Sequence, residues 1–119
     1  MAKLEKYEAS FNRVYRRYKA RAKEKSIPFE LSEPTFKRIA EKDCRFCGAQ
    51  PTEWGGHAAR YNGAWESNGI DRIDSSKGYV YDNVQPCCGL CNQIKSDLEE
   101  TEFLQQVCRI VSHTSIKED

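Results

Sequence analysis

Between Lys3 and Ser26, apolar side chains recur at alternating steps of three and four: Leu4, Tyr7, Phe11, Val14, Tyr18 and Ala22. That period predicts an amphipathic helix of about 20 residues with Arg and Lys on its other face. Pro28 closes it, and a short extended link, IPFELS, follows. Ser32 then suits an N-cap, with Pro34 in the first turn of a second helix, PTFKRIAEK, whose Phe36 and Ile39 face a core. Residues 48–68 show no period. They are rich in glycine, carry Trp54 and Trp65, and read as a long loop in which the tryptophans pack or touch a ligand. GIDRID is β-like, DSSKG is a turn, and YVYDN is the expected returning strand of a hairpin. VQPCCGLCNQIKSDL runs from a tight turn into a helix. A last helix begins near Thr101, with Glu102 complementing its dipole. Its stripe of Phe103, Leu104, Val107, Ile110 and Val111 is expected to cover the domain.

Composition bounds the size of the core. The chain has 119 residues, 39% apolar and 31% charged. That fits a small α+β unit with a thin core, of the kind that relies on a staple such as a metal. The division expected is 1–30 for the basic helix and link, and 31–119 for a metal-binding domain with its C-terminal helix. No stretch approaches the ~20 apolar residues that span a bilayer, and no apolar signal core opens the chain. An intracellular setting, such as bacterial cytoplasm, is therefore expected, with no membrane partner.

In a reducing compartment, six cysteines at this spacing point to metal before disulfides. Cys44 and Cys47 form one CxxC pair, and Cys88 and Cys91 another. Two such turns complete a tetrahedral four-thiolate zinc site. Cys87 is an alternative to Cys88 at CxxxC spacing; the repeated CxxC favours Cys88, leaving Cys87 and Cys108 as small buried hydrophobes. A closed four-thiolate zinc has no open position, so it holds the fold and any catalysis needs a second metal.

Charge is unevenly spread. The first 25 residues hold nine basic and three acidic side chains, a net +6, which leaves −5 for the rest. Arg13, Arg16, Arg17, Lys19 and Arg21, with Tyr15 and Tyr18 between them, fit contact with a phosphate backbone, and so does Lys95. The plain alternative is a solvated helix face.

The order CxxC, acidic hairpin, Asn83, CxxC, then Asn92 and a helix with Lys95 resembles the zinc-containing HNH (ββα-metal, His-Me finger) endonucleases, in particular the phage recombination endonuclease VII-like branch. The resemblance covers residues 44 to 97. It implies a small zinc-stabilised ββα-metal domain and a divalent-metal-dependent DNA endonuclease acting on double-stranded or branched DNA. It also implies a phage or mobile-element setting. It places Asp71 and Asn92 as ligands of a catalytic Mg²⁺ or Mn²⁺, Asn83 as the brace of the hairpin turn, and Cys44, Cys47, Cys88 and Cys91 on structural zinc.

One position departs from the family's pattern. The general-base His is replaced by Arg72, which keeps its proton at ordinary pH. Arg72 suits a clamp on phosphate instead. The base then falls to Asp74, to His57 or to the metal alone. Each candidate also has a structural reading: Asp74 as the Asx residue of the turn, Asp71 with Arg72 as a strand ion pair, Asn92 as a helix cap, and His57 as a solvated loop residue. A module that kept the scaffold for nucleic-acid binding or for an interaction, without catalysis, is the alternative function. The stripe of the first helix would also permit a homodimer.

Overall fold

The computed structural model describes residues 7–53 and 64–115. Helix α1 spans Glu8–Glu24 and α2 spans Glu33–Ala40. Two short antiparallel sheets follow. The first pairs β1 (Thr52–Glu53) with β2 (Glu66–Ser67). The second pairs β3 (Gly69–Arg72) with β4 (Val84–Cys87). Helix α3 (Gly89–Lys95) leaves β4 directly, which completes a ββα unit, and α4 spans Glu100–Thr114. Leu4, Trp54 and His57 lie outside the described residues.

The predicted stripe of α1 becomes the core. Phe11, Val14, Tyr18 and Ala22 join Leu31, Phe36, Ile39, Ala40, Trp65, Ile70, Tyr79 and Val84 in one cluster that runs across residue 30. Phe36 sits at its centre, its ring packed against Phe11, Tyr15, Tyr18, Phe29 and Trp65. Of the stripe expected to permit a homodimer, Phe11, Val14 and Tyr18 are buried within the chain and Tyr7 is exposed. Trp65 is a core residue, its indole Nε1 donating to Glu41 at 2.7 Å. Ser32 caps α2 as expected, accepting from the Thr35 amide.

Tyr18 fixes α1 on the hairpin. The Ile70 amide donates to its hydroxyl at 2.9 Å, and burial pushes the phenol up to about 12. A side chain at Gly69 would place its Cβ 2.7 Å from that hydroxyl, so the approach requires glycine there.

Two expected elements differ. The strand that returns to β3 is VQPC, with Asp71 opposite Gln85 and Arg72 opposite Val84, in place of YVYDN. YVYDN is committed elsewhere: the Tyr79 amide donates to Pro28 and its carbonyl accepts from Glu30, forming a parallel bridge to the interhelix link. Tyr81–Asn83 then makes a 3₁₀ turn.

The second difference is α4. Its N-terminus carries a capping box between Glu99 and Glu102, and Phe103 packs edge-on against Phe46 at 5.1 Å between centroids. Leu104, Val107, Ile110 and Val111 are exposed, so α4 is anchored by its first turn and does not cover the domain. Cys108 lies on its exposed surface, contrary to the buried position expected.

Candidate metal centre and polar cleft

The two CxxC turns converge. The Sγ atoms of Cys44, Cys47, Cys88 and Cys91 all lie within 4.8 Å of one another, and Cys47 and Cys88 approach to 3.7 Å. Four sulfurs at the ~2.3 Å bond length of zinc, arranged tetrahedrally, stand about 3.8 Å apart, so the donor set fits such an ion. Cys87 is not part of this converging group. It is fully buried beside Cys44, with its thiol pushed up chiefly by that burial. The Cys44 thiol is pushed up by burial, but amides of Cys47, Cys88 and Phe46 outweigh this and bring it down to about 6. Donors already aimed at Cys44 favour its thiolate.

Local bonds hold the first turn. The Arg45 amide donates to the Pro86 carbonyl of β4 at 2.8 Å. Buried Asn68 donates through Nδ2 to the carbonyls of Lys42 and Ala49, on either side of Cys44 and Cys47. The knuckle and the hairpin thus form one unit.

The loop between β3 and β4 is organised by Asn83. Its Oδ1 accepts from the Asp74 amide at 2.9 Å, and its Nδ2 donates to the carbonyls of Asp74 and Gly78. Three bonds from one buried amide span the loop, a bracing arrangement. The Asp74 carboxylate accepts from the Ser76 amide at 2.9 Å and the Ser76 hydroxyl at 2.6 Å. This is the Asx-turn. These bonds hold its carboxyl below the usual range, with Lys77 and Arg72 adding to the effect, so it is a weak proton acceptor at neutral pH. Arg72 is bound into the same loop. Its Nη1 donates to the carbonyls of Ser75 and Lys77, and its guanidinium lies over the Tyr79 ring.

Asp71 and Asn92 line one polar cleft of about 190 Å³ at the junction of β3 and α3. Asp71 is 6% exposed, and both its oxygens carry donors: Lys95 Nζ at 3.2 Å on Oδ1 and Gln85 Nε2 at 3.0 Å on Oδ2. Gln85 also reaches Glu100 at 3.3 Å, tying the site to the start of α4. Lys95, expected as an exposed phosphate contact, is 1% exposed and paired inside. Asp71 with Arg72 is therefore not the ion pair of this strand; the partner of Asp71 is Lys95.

Gln85 and Asp97 stand at the cleft although the sequence patterns do not reveal them. The strand-like character of YVYDN hides Gln85, by suggesting a different return for the hairpin. Arg21 and Lys25 reach the cleft from α1. Counting Arg72, Lys95, Asp71 and Asp97 as well, the charged residues lining it sum to +2. Arg16 and Lys19 lie apart from it, lining another groove with Tyr15 and Glu33. Among the described residues, no helix is long and apolar enough to cross a membrane.

No family model matches the chain. An uncharacterized protein of Acanthamoeba polyphaga mimivirus is 36% identical over 83 residues, which is 70% of this chain and 14% of that protein. The chain thus spans about a seventh of the length of the curated relative it matches. The rare-cutting HNH restriction endonuclease PacI is a structural neighbour at TM-score 0.57 and 20% identity, covering 90% of this chain and 82% of PacI. The fold is accordingly a small α+β HNH-like domain whose four cysteines stand close enough together to hold one metal ion.

Proposed function

We propose that the chain is a divalent-metal-dependent DNA endonuclease of HNH type, held together by structural zinc on Cys44, Cys47, Cys88 and Cys91. The observation that carries this reading is the cleft. A buried carboxylate and a carboxamide, Asp71 and Asn92, face it beside a net positive lining in an HNH-like fold. Hard oxygen donors of this kind suit Mg²⁺ or Mn²⁺, and the surplus positive charge suits a phosphodiester. A bound ion supplies charge neutralisation at the phosphoryl and leaving oxygens. Asn83 keeps the loop shaped around the cleft, and Arg72, fixed by its loop carbonyls, faces phosphate as a rigid cation. Asp74 serves the turn and not the chemistry. The viral source of the relative is in keeping with a phage or mobile-element setting.

The test is cleavage of supercoiled plasmid and of a four-way junction with Mg²⁺ or Mn²⁺. Wild type is expected to cut. Asp71→Asn and Asn92→Ala should each lose about a hundredfold or more while still binding DNA. Asp74→Asn should keep activity, because Asn closes the same Asx-turn. Loss of cutting in Asp74→Asn, with the fold intact, would make Asp74 the base. DNA binding without cutting under any metal would mean that the scaffold serves binding alone.

The DNA path is expected along one edge of α1. Arg13, Arg17, Arg21 and Lys25 recur every four residues, and the last two line the cleft. Alanine at Arg17, Arg21 and Lys25 should weaken duplex affinity. It should also flatten the log–log salt dependence by about 0.9 for each phosphate that is no longer neutralised. Alanine at Arg16 and Lys19 should do much less. Fluorescence anisotropy across a KCl series reads both, and equal effects from the two rows would remove the cleft from the DNA path.

A further inference from the structure

Asp71 is the candidate metal ligand, yet a cation already stands on it. The Lys95 ammonium is 3.2 Å from Oδ1 and 1% exposed. Among the described residues, no other basic side chain stands within ion-pair distance of that carboxylate. Gln85 holds Oδ2, and carboxylate oxygens retain further lone pairs, so the donor set itself still accommodates an ion. Charge is the obstacle. A divalent ion held by Asp71 would stand beside the Lys95 ammonium, at a carboxylate only 6% exposed.

We infer that Lys95 is the resident counter-cation of Asp71, and that it withholds the site from divalent metal until a nucleic-acid phosphate in the cleft draws it away. This rests on the endonuclease reading above. Three observations support it. Burial of Asp71 demands compensating charge, and Lys95 supplies it without an ion. Lys95 is also one of the residues lining the cleft that a phosphate would enter. Arg21, Lys25 and Arg72 give that space the positive lining that attracts the phosphate in the first place. Metal and DNA are then coupled: each is bound more tightly in the presence of the other. A protein free of DNA would keep an ion-poor, internally neutralised site.

The test is Mn²⁺ binding to the zinc-loaded protein, read from the signal of free Mn²⁺ in electron paramagnetic resonance, with and without a short DNA duplex. Wild type alone should bind weakly, and the duplex should raise affinity by about tenfold or more. Lys95→Met should bind Mn²⁺ about tenfold or more tighter than wild type without DNA, and should lose most of the response to DNA. Lys95→Gln, which keeps a donor to Asp71 but no charge, should behave alike and covers the case in which the methionine variant misfolds. Affinity in both variants equal to or below wild type, with Mn²⁺ binding still abolished by Asp71→Asn, would overturn the role of Lys95 and leave the endonuclease reading standing. Mn²⁺ binding that Asp71→Asn leaves unchanged, or none in any protein, would overturn both.

Discussion

Stripping the metal from the four-cysteine site is expected to unfold the chain. Structural zinc contributes on the order of 10–16 kcal/mol in small metal-dependent domains, comparable to or above the ~5–15 kcal/mol that holds a typical domain together. The architecture leaves little to replace it. The apolar cluster is built mainly from α1, α2 and the first part of the hairpin. The segment from Cys87 onward adds Phe103, which reaches Phe46 beside the knuckle. A zinc ion on the four cysteines would join the 44–47 turn to the start of α3. One zinc per chain is therefore expected by elemental analysis. Cys88→Ser should abolish it and collapse the far-ultraviolet circular dichroism signal, while Cys87→Ala should keep the zinc. Acidification should release the metal, because all four ligands bind as thiolates and protons compete for them. The opposite pattern in the Cys87 and Cys88 variants would move the ligand, and an unchanged fold after complete zinc removal would make the site incidental. Chelator should act in two stages, stopping cleavage before it denatures, since a carboxylate and a carboxamide hold an ion far less tightly than four thiolates.

Much of this architecture is legible in the chain because it depends on spacing over a few residues. The three-and-four stripe of α1, the Ser32 cap and the two CxxC turns are local patterns, and the structure carries each of them. The return of the hairpin is not legible. YVYDN has the β-branched and aromatic character of a strand, but its backbone groups are taken by Pro28 and Glu30, some fifty residues upstream. Long-range pairing overrides local propensity there. The same pairing conceals Gln85, which faces Asp71 only in the true register. Lys95 misleads for a related reason. A lysine beside a cysteine turn reads as an exposed cation, and only the packing of α3 on β3 buries it against Asp71. The α4 stripe fails differently: an apolar period indicates which face wants cover, but not whether the domain reaches far enough to cover it.

The same burial sets a second large effect. Asp71→Ala is expected to cost about 3–5 kcal/mol of stability, because it leaves the Lys95 ammonium buried without a partner. Gln85 cannot compensate, since its Nε2 donates and would lose an acceptor as well. Asp71→Asn should cost less, its carbonyl oxygen still accepting from Lys95. The double variant Asp71→Ala with Lys95→Met should regain most of the loss, because a buried ion pair exchanged for apolar groups is close to neutral. Urea denaturation at saturating zinc, on these variants beside wild type, separates the cases. A loss under about 1 kcal/mol for Asp71→Ala would mean that water reaches Lys95 and that the pair behaves as a surface one. The result also decides how any cleavage assay is read. If alanine at Asp71 destabilises this much, an inactive Asp71→Ala protein speaks to folding as much as to metal, whereas an inactive, folded Asp71→Asn protein speaks to the carboxylate charge.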